Sequence, residues 1–221
     1  MGAFKHLSEY FGESLIDVAY DMGYSEANIQ ILSGDVEGLR TRNPDIYANL
    51  LSCRHNKDGR SFIEYGQDVV ASWLFEDHLL DELNRAGLRV VSAGADRNRV
   101  ILPSSKVSAS SDFTVLWRGR EIPLELMNDY TGYWYRYCKI DLRDDKYSKM
   151  KEKKSLFLGI STSDHKYVLL NFSRPIKATY IASHRYYYGK PVSQISIDRN
   201  QLLAFDMMEV IENIKREIEL T

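Results

Sequence analysis

Cysteine is nearly absent: the 221 residues contain two, Cys53 and Cys138. Two thiols provide neither a disulfide framework nor a zinc-ligand spacing. The fold must therefore rest on an apolar core, which a chain of 25.6 kDa is long enough to build. Such cysteine usage predicts a reducing, cytoplasmic setting. Long hydrophobic runs are missing as well. No window approaches the roughly 18 apolar residues that a spanning helix needs, so no membrane partner is expected. The first eleven residues mix Lys5, His6 and Glu9 with apolar ones, unlike the apolar stretch of a secretory leader. No glycine-rich phosphate loop occurs, since Gly94-Ala95-Asp96-Arg97 is too short, and no nucleotide cofactor is expected. A serine at a nucleophile elbow and a His-Glu-x-x-His pair are both absent, and the five histidines show no ligand spacing. Internal repeats and low-complexity segments are lacking too.

What remains is ordinary globular composition, 44% hydrophobic and 27% charged, with 15 tyrosines. Net charge is only −2, but it is unevenly spread. Residues 1–60 hold six basic and nine acidic residues, a net −3. Residues 166–199 hold six basic and one acidic, a net +5, and residues 200–221 two basic and five acidic, a net −3. A polyanionic partner responds to such local concentration more than to the total.

Residues 1–59 read as helical, with Leu15, Ile16, Ala19 and Met22 at helical spacing and Gly23, Gly34 and Asn43-Pro44 as punctuation. The polar run Arg54 to Arg60 is the expected boundary, dividing a helical segment, 1–59, from a domain over 60–221. Ser61 and Glu64 form a capping-box signature for a helix that Gly87 closes. Strand-like runs follow at 88–92, 99–102, 112–117 and 121–127, with Arg118-Gly119-Arg120 as a hairpin turn. A charged helix is expected from Asp141 to Lys153. Strands are expected at 155–160 and 167–172, extended pieces at 178–182 and 194–197, and an amphipathic helix from about Arg199 to Glu219. The order predicts a mixed α/β fold, a central mixed sheet flanked by helices.

Two carboxylates stand out. Asp112 opens one strand and Glu125 lies late in the next, thirteen residues on, and a hairpin at Gly119 brings them together. Paired carboxylates on a strand suit Mg²⁺ or Mn²⁺, which keeps waters for a substrate phosphate and activates water for attack on a phosphodiester. If they share one cation, their carboxyl groups should lie roughly 4–6 Å apart. Glu125 is flanked by Leu124, Leu126 and Met127, and a carboxylate inside an apolar strand is seldom left unpaired.

A helix with Glu64, then Asp112, then Glu125, a charged helix and an apolar strand resembles the PD-(D/E)XK nuclease superfamily. That superfamily includes restriction endonucleases and Holliday junction resolvases. The resemblance covers about half the chain, 61–172. It aligns Ser111-Asp112 with the P-D position and Glu125-Leu126-Met127 with (D/E)-X-K. It implies a restriction-endonuclease-like core with Asp112 and Glu125 as catalytic metal ligands and Glu64 as an auxiliary one. DNA is the implied substrate. Two departures stand out: serine replaces the proline, and Met127 replaces the lysine that would orient water or stabilise developing charge. The nearest downstream replacements are Lys139, ranked first, and Lys146, both placed at the start of the following helix. A homodimer is expected, one site for each strand of a duplex.

Two further stretches bear on binding. Leu15 to Leu32 resembles a helix-turn-helix that would offer Ser25, Asn28 and Gln30 to bases; the alternative is a packing or dimerisation arm. His184 to Lys190 interleaves aromatic and basic residues, and Tyr130 to Tyr137 is similar. Arg185, Lys190, Tyr187, Arg136 and Lys146 are the expected nucleic-acid contacts. Alongside the nuclease stand two rivals: a catalytically inactive nuclease-fold DNA-binding module, favoured by Met127, and a protein-interaction domain built on tyrosines.

Overall fold

A computed structural model describes residues 2–53, 59–94, 97–103, 111–187 and 189–220. The chain forms two compact units, one of residues Met1–Leu79 with Gly94–Ser108, the other of Leu80–Ala93 with Ala109–Thr221. The boundary expected at residue 59 or 60 adjoins residues 54–58, which lie outside the described residues. The division between these two units falls inside a single long helix.

The first unit is helical: α1 (Ala3–Phe11), α2 (Leu15–Asp21), α3 (Glu26–Ser33), α4 (Val36–Arg42), α5 (Pro44–Ser52) and the start of α6 (Phe62–Arg85). Local chemistry sets the boundaries. Ser14, Ser25 and Asp35 each accept a main-chain N–H of the turn they cap, and Pro44 begins α5. Leu7, Ala19, Ile31, Leu39, Leu50 and Leu74 are fully buried. The three polar side chains expected to read DNA are engaged inside this unit. Ser25 caps α3. Asn28, 2% exposed, donates to the Arg99 carbonyl. Gln30 donates to Glu26 and accepts from Asn43. The helix-turn-helix reading fails on this geometry.

The strand expected at 99–102 is also absent. Arg99 has a φ of 52° and its guanidinium is clamped by Asp77 and Glu76. The carbonyls of Arg99 and Ile101 accept Asn28 and Asn49 side chains, so the stretch is satisfied without a neighbouring strand.

The second unit holds a six-stranded sheet and a three-stranded one. The larger takes β1 (Val90–Ser92), β2 (Phe113–Trp117), β3 (Arg120–Asn128), β5 (Leu156–Ser161), β6 (Lys166–Asn171) and β9 (Leu203–Ala204), in the order β1-β2-β3-β5-β6-β9. Among the described residues only β3 and β5 pair in parallel. The smaller runs β4 (Lys139–Arg143), β8 (Val192–Ser196), β7 (Ala178–Ile181). Besides the end of α6, the described helices of this unit are α7 (Tyr133–Tyr137), α8 (Asp144–Lys153) and α9 (Met207–Glu219), with α9 packed on β6. The fold is thus mixed α/β, a central mixed sheet flanked by helices.

β2 and β3 join through a two-residue turn, Arg118-Gly119, with φ of 48° and 78° at the two positions, as this tight hairpin requires. Pro123 lies within β3 but one residue before pairing with β5 begins at Leu124, so its missing N–H costs the parallel ladder nothing. All six residues of β5 are buried, which accounts for its unbroken apolar run.

Two elements differ from expectation. Residues 139–143 form β4, not the first turn of a helix, because Ile140 and Leu142 are buried in the sheet core while the intervening charges mask the alternation. The terminal helix starts at Met207, capped by Asp206, since Leu203-Ala204 is drawn into β9 against β6.

A cluster of buried residues, among them Trp134, Phe157, Val168 and Leu170, packs on one face of the larger sheet. Gly159 makes room for it: a Cβ there would come within 2.7 Å of the Trp134 ring and 2.9 Å of Phe157 and Val168. Gly159→Ala should therefore destabilise the fold by about 1–3 kcal/mol through overpacking. Urea unfolding measures it, and an unchanged midpoint would refute this packing account.

Candidate metal and phosphodiester site

The site is built from the β2–β3 hairpin. Phe113 faces Leu124 across the ladder, and one further step of the same register sets Asp112 opposite Glu125. Main-chain bonds fix Asp112. Its carbonyl accepts the Ala93 N–H at 2.9 Å, and its Oδ2 accepts the Leu126 N–H at 2.8 Å. Glu125 lies in β3 beside Phe157 of β5 and is 3% exposed. The two carboxyl groups are close enough for the charge of Asp112 to act on Glu125.

A carboxylate in that position loses water and faces a like charge. Burial pushes Glu125 from its ordinary 4.5 up to about 8, with Asp112 adding to the rise and Lys146 opposing it. Lys146, in the first turn of α8, forms an ion pair with Glu125 Oε1, and its own side chain remains 32% exposed. The cluster is thus two carboxylates and one ammonium, with a way out to solvent along the lysine.

This donor set fits a hard divalent cation. Asp112 and Glu125 could supply oxygen ligands, and a small cation held by one or two carboxylates takes its remaining ligands from water and phosphate. Among the described residues no group of three or more His, Cys, Asp and Glu could hold a metal.

The other expected site residues are placed as follows. Lys139 opens β4, its backbone opposite Ser196, and the cation that meets Glu125 is Lys146. Met127 is opposite Gly159 and packs against the Trp134 cluster, so it serves the core rather than the chemistry. Glu64 belongs to the first unit, exposed, where its Oε2 accepts both the N–H and the hydroxyl of Ser61 at 2.7 Å; those bonds hold its carboxyl below the usual range. Its neighbours there are also engaged: Gln67 donates to the Leu32 carbonyl and Asp68 is paired with Arg60.

Arg136, Arg185 and Lys190 are exposed. Tyr187 is not: it donates to the Asp141 carbonyl, and burial pushes its phenol up to about 12. Tyr188 lies outside the described residues. Sequence reasoning missed the network around Asp141. This buried carboxylate accepts from Tyr133 at 3.0 Å and Gln194 at 2.8 Å, and His184 Nε2 is 3.4 Å away. Its members come from α7, β8 and the loop after β7, and no spacing in the chain announces them. Asp129, likewise unremarked, is buried and accepts from Thr131 and from the Trp134 N–H, setting the turn into α7.

No protein-family model and no curated protein matches this chain. Among solved structures it is similar to the Holliday junction resolvase of Archaeoglobus fulgidus, an archaeal hyperthermophile. Identity is 13% and the TM-score 0.37, over 65% of this chain and 98% of that one.

The raised Glu125 group has a stability consequence. Folding takes up a proton between its ordinary 4.5 and about 8, so its stabilising share is complete below 4.5 and is lost as pH climbs through 8. The melting temperature of the metal-free protein should fall over that interval, and Glu125→Gln should flatten the fall. Parallel curves for the two proteins would contradict the burial of this carboxyl.

Proposed function

We propose that the chain is a metal-dependent nuclease that hydrolyses DNA phosphodiester bonds, with Asp112 and Glu125 holding Mg²⁺ or Mn²⁺. One observation carries this reading: the hairpin register, the burial of Glu125 and the placement of Lys146 put two carboxylates and a lysine together. A bound divalent ion would polarise the scissile phosphate and supply a hydroxide from bound water.

The protein's own groups do the rest. The Leu126 N–H fixes the Asp112 carboxylate, so one ligand is oriented before anything binds. Lys146 opposes the effect of burial on Glu125, and a bound cation would favour the ionised carboxylate further. Once a cation takes over that task, the partly exposed ammonium can turn to a phosphate oxygen, where positive charge stabilises the transition state. Lys146 thereby takes the role for which Lys139 ranked first on sequence. Glu64, already satisfied in its capping box, stays outside this proposal. A symmetric pair of copies, each cutting one strand, is the arrangement that serves a duplex.

A second reading has its own support: Met127 sits in the core and Lys146 is already paired, as in a fold that binds DNA without cutting it. The two are separable. With Mg²⁺ or Mn²⁺ and labelled linear, circular and branched DNAs, wild type should cleave. Asp112→Asn and Lys146→Met should each lower cleavage by about 10²–10³-fold while DNA affinity persists. Lys139→Ala should leave the rate near wild type. No cleavage by wild type with either metal would favour the binding module.

A further inference from the structure

Away from the carboxylates, an exposed tyrosine is ringed by unneutralised cations. α7 turns Trp134 inward, 2% exposed, and Tyr135 outward, 39% exposed. The Lys166 ammonium lies 5.4 Å and the Arg199 guanidinium 5.3 Å from the centre of the Tyr135 ring. These groups come from three separate places: α7, the first residue of β6, and the 3-10 turn Arg199–Gln201. The sheet unites them, since Lys166 pairs with both Ser161 and Ala204.

Two positive charges from different elements thus meet at one exposed ring. Among the described residues, Lys166, Arg199 and the exposed Arg136 form no ion pair. The acids nearest in sequence are committed: Asp164 accepts the hydroxyls of Ser161 and Ser163, and Asp198 closes a capping box with Gln201. Tyr137, 54% exposed, lies two residues on and packs at a tilt on Tyr133, 5.0 Å away, so it belongs to another side of the helix. Cations gathered on an aromatic face and left without anions are the features of a surface that tracks a phosphate backbone and stacks bases.

We infer that Tyr135, with Lys166, Arg199 and Arg136, forms a contact surface for an unpaired, single-stranded segment of nucleic acid. This rests on and deepens the nuclease reading, because a duplex keeps its bases stacked and offers this surface phosphates alone. The surface lies where β3 and β5 end, and Glu125 is three residues, about 10 Å of strand, before the end of β3. A substrate with an unpaired segment adjoining its cleavage site would engage both.

The experiment measures binding of fluorescent oligo-dT and of a blunt duplex of equal length by anisotropy, in EDTA so that nothing is cut. Tyr135→Ala should weaken oligo-dT binding roughly tenfold and duplex binding little, whereas Tyr135→Phe should bind like wild type. Lys166→Glu with Arg199→Glu should weaken both and flatten the salt dependence for oligo-dT by about 1.4 log–log units. These reversals decide the question if Tyr135→Ala lowers the melting temperature. Unchanged oligo-dT binding in both variants would overturn the inference. So would equal losses for duplex and single strand in Tyr135→Ala, or displacement of oligo-dT by polyglutamate as readily as by unlabelled oligo-dT. Cleavage assays on Asp112→Asn run alongside: binding that follows Tyr135 without any wild-type cleavage fails the nuclease reading and leaves this one standing, and the reverse pattern fails this one alone.

Discussion

An ionisable group inside a sheet has to be answered by charge, and the second unit is arranged around that demand at Glu125. Burial favours the neutral acid, Asp112 opposes its ionisation, and Lys146 offsets part of that rise. None of the three is adjacent in sequence. The hairpin supplies Asp112 and α8 supplies Lys146, so the geometry of the cluster is inherited from the pairing of β2 with β3 and of β3 with β5. Truncating the lysine would leave a buried carboxylate facing another one, a costly state in any protein interior.

The connection between the parallel strands has an unusual amount to carry. Two parallel neighbours require a long crossover, and here it contains α7, β4 and α8 in succession. Trp134 anchors its start on the sheet above Gly159, and the Asp141 network ties its middle to β8 and to the loop after β7. Its end delivers Lys146. One segment therefore provides both the ammonium at the carboxylates and the tyrosine surface proposed to hold substrate.

Much of this was legible beforehand. The α6 capping box, the tight turn at Gly119 and the apolar run of β5 are local signals, and each corresponds to a described element. The juxtaposition of Asp112 with Glu125 followed from hairpin arithmetic alone. Lys139 was harder to place, because Ile140 and Leu142 alternate within a stretch whose charges mimic a helix face. Lys146, the second candidate, could not be ranked above Lys139, since its approach to Glu125 depends on where α8 docks. The buried Asn28 and Gln30 misled for the opposite reason: a polar residue on a helix looks the same in sequence whether it faces DNA or a neighbouring carbonyl. Arg99 shows the same limit, its extended pattern overridden by the acids of α6.

The Arg118-Gly119 turn, far from remarkable in itself, acts as the ruler of the cluster. Side chains alternate faces along a strand, so a pairing slip of one residue reverses every orientation beyond it. Asp112 and Glu125 face one another because that loop holds two residues and no others. Exposed loops ordinarily absorb insertions with little effect. This one is different: it tolerates changes of residue type that accept its backbone angles, but a change of length would part the carboxylates without altering any residue that touches them. Constraint on the site is therefore written partly as chain length at a surface position remote from the chemistry.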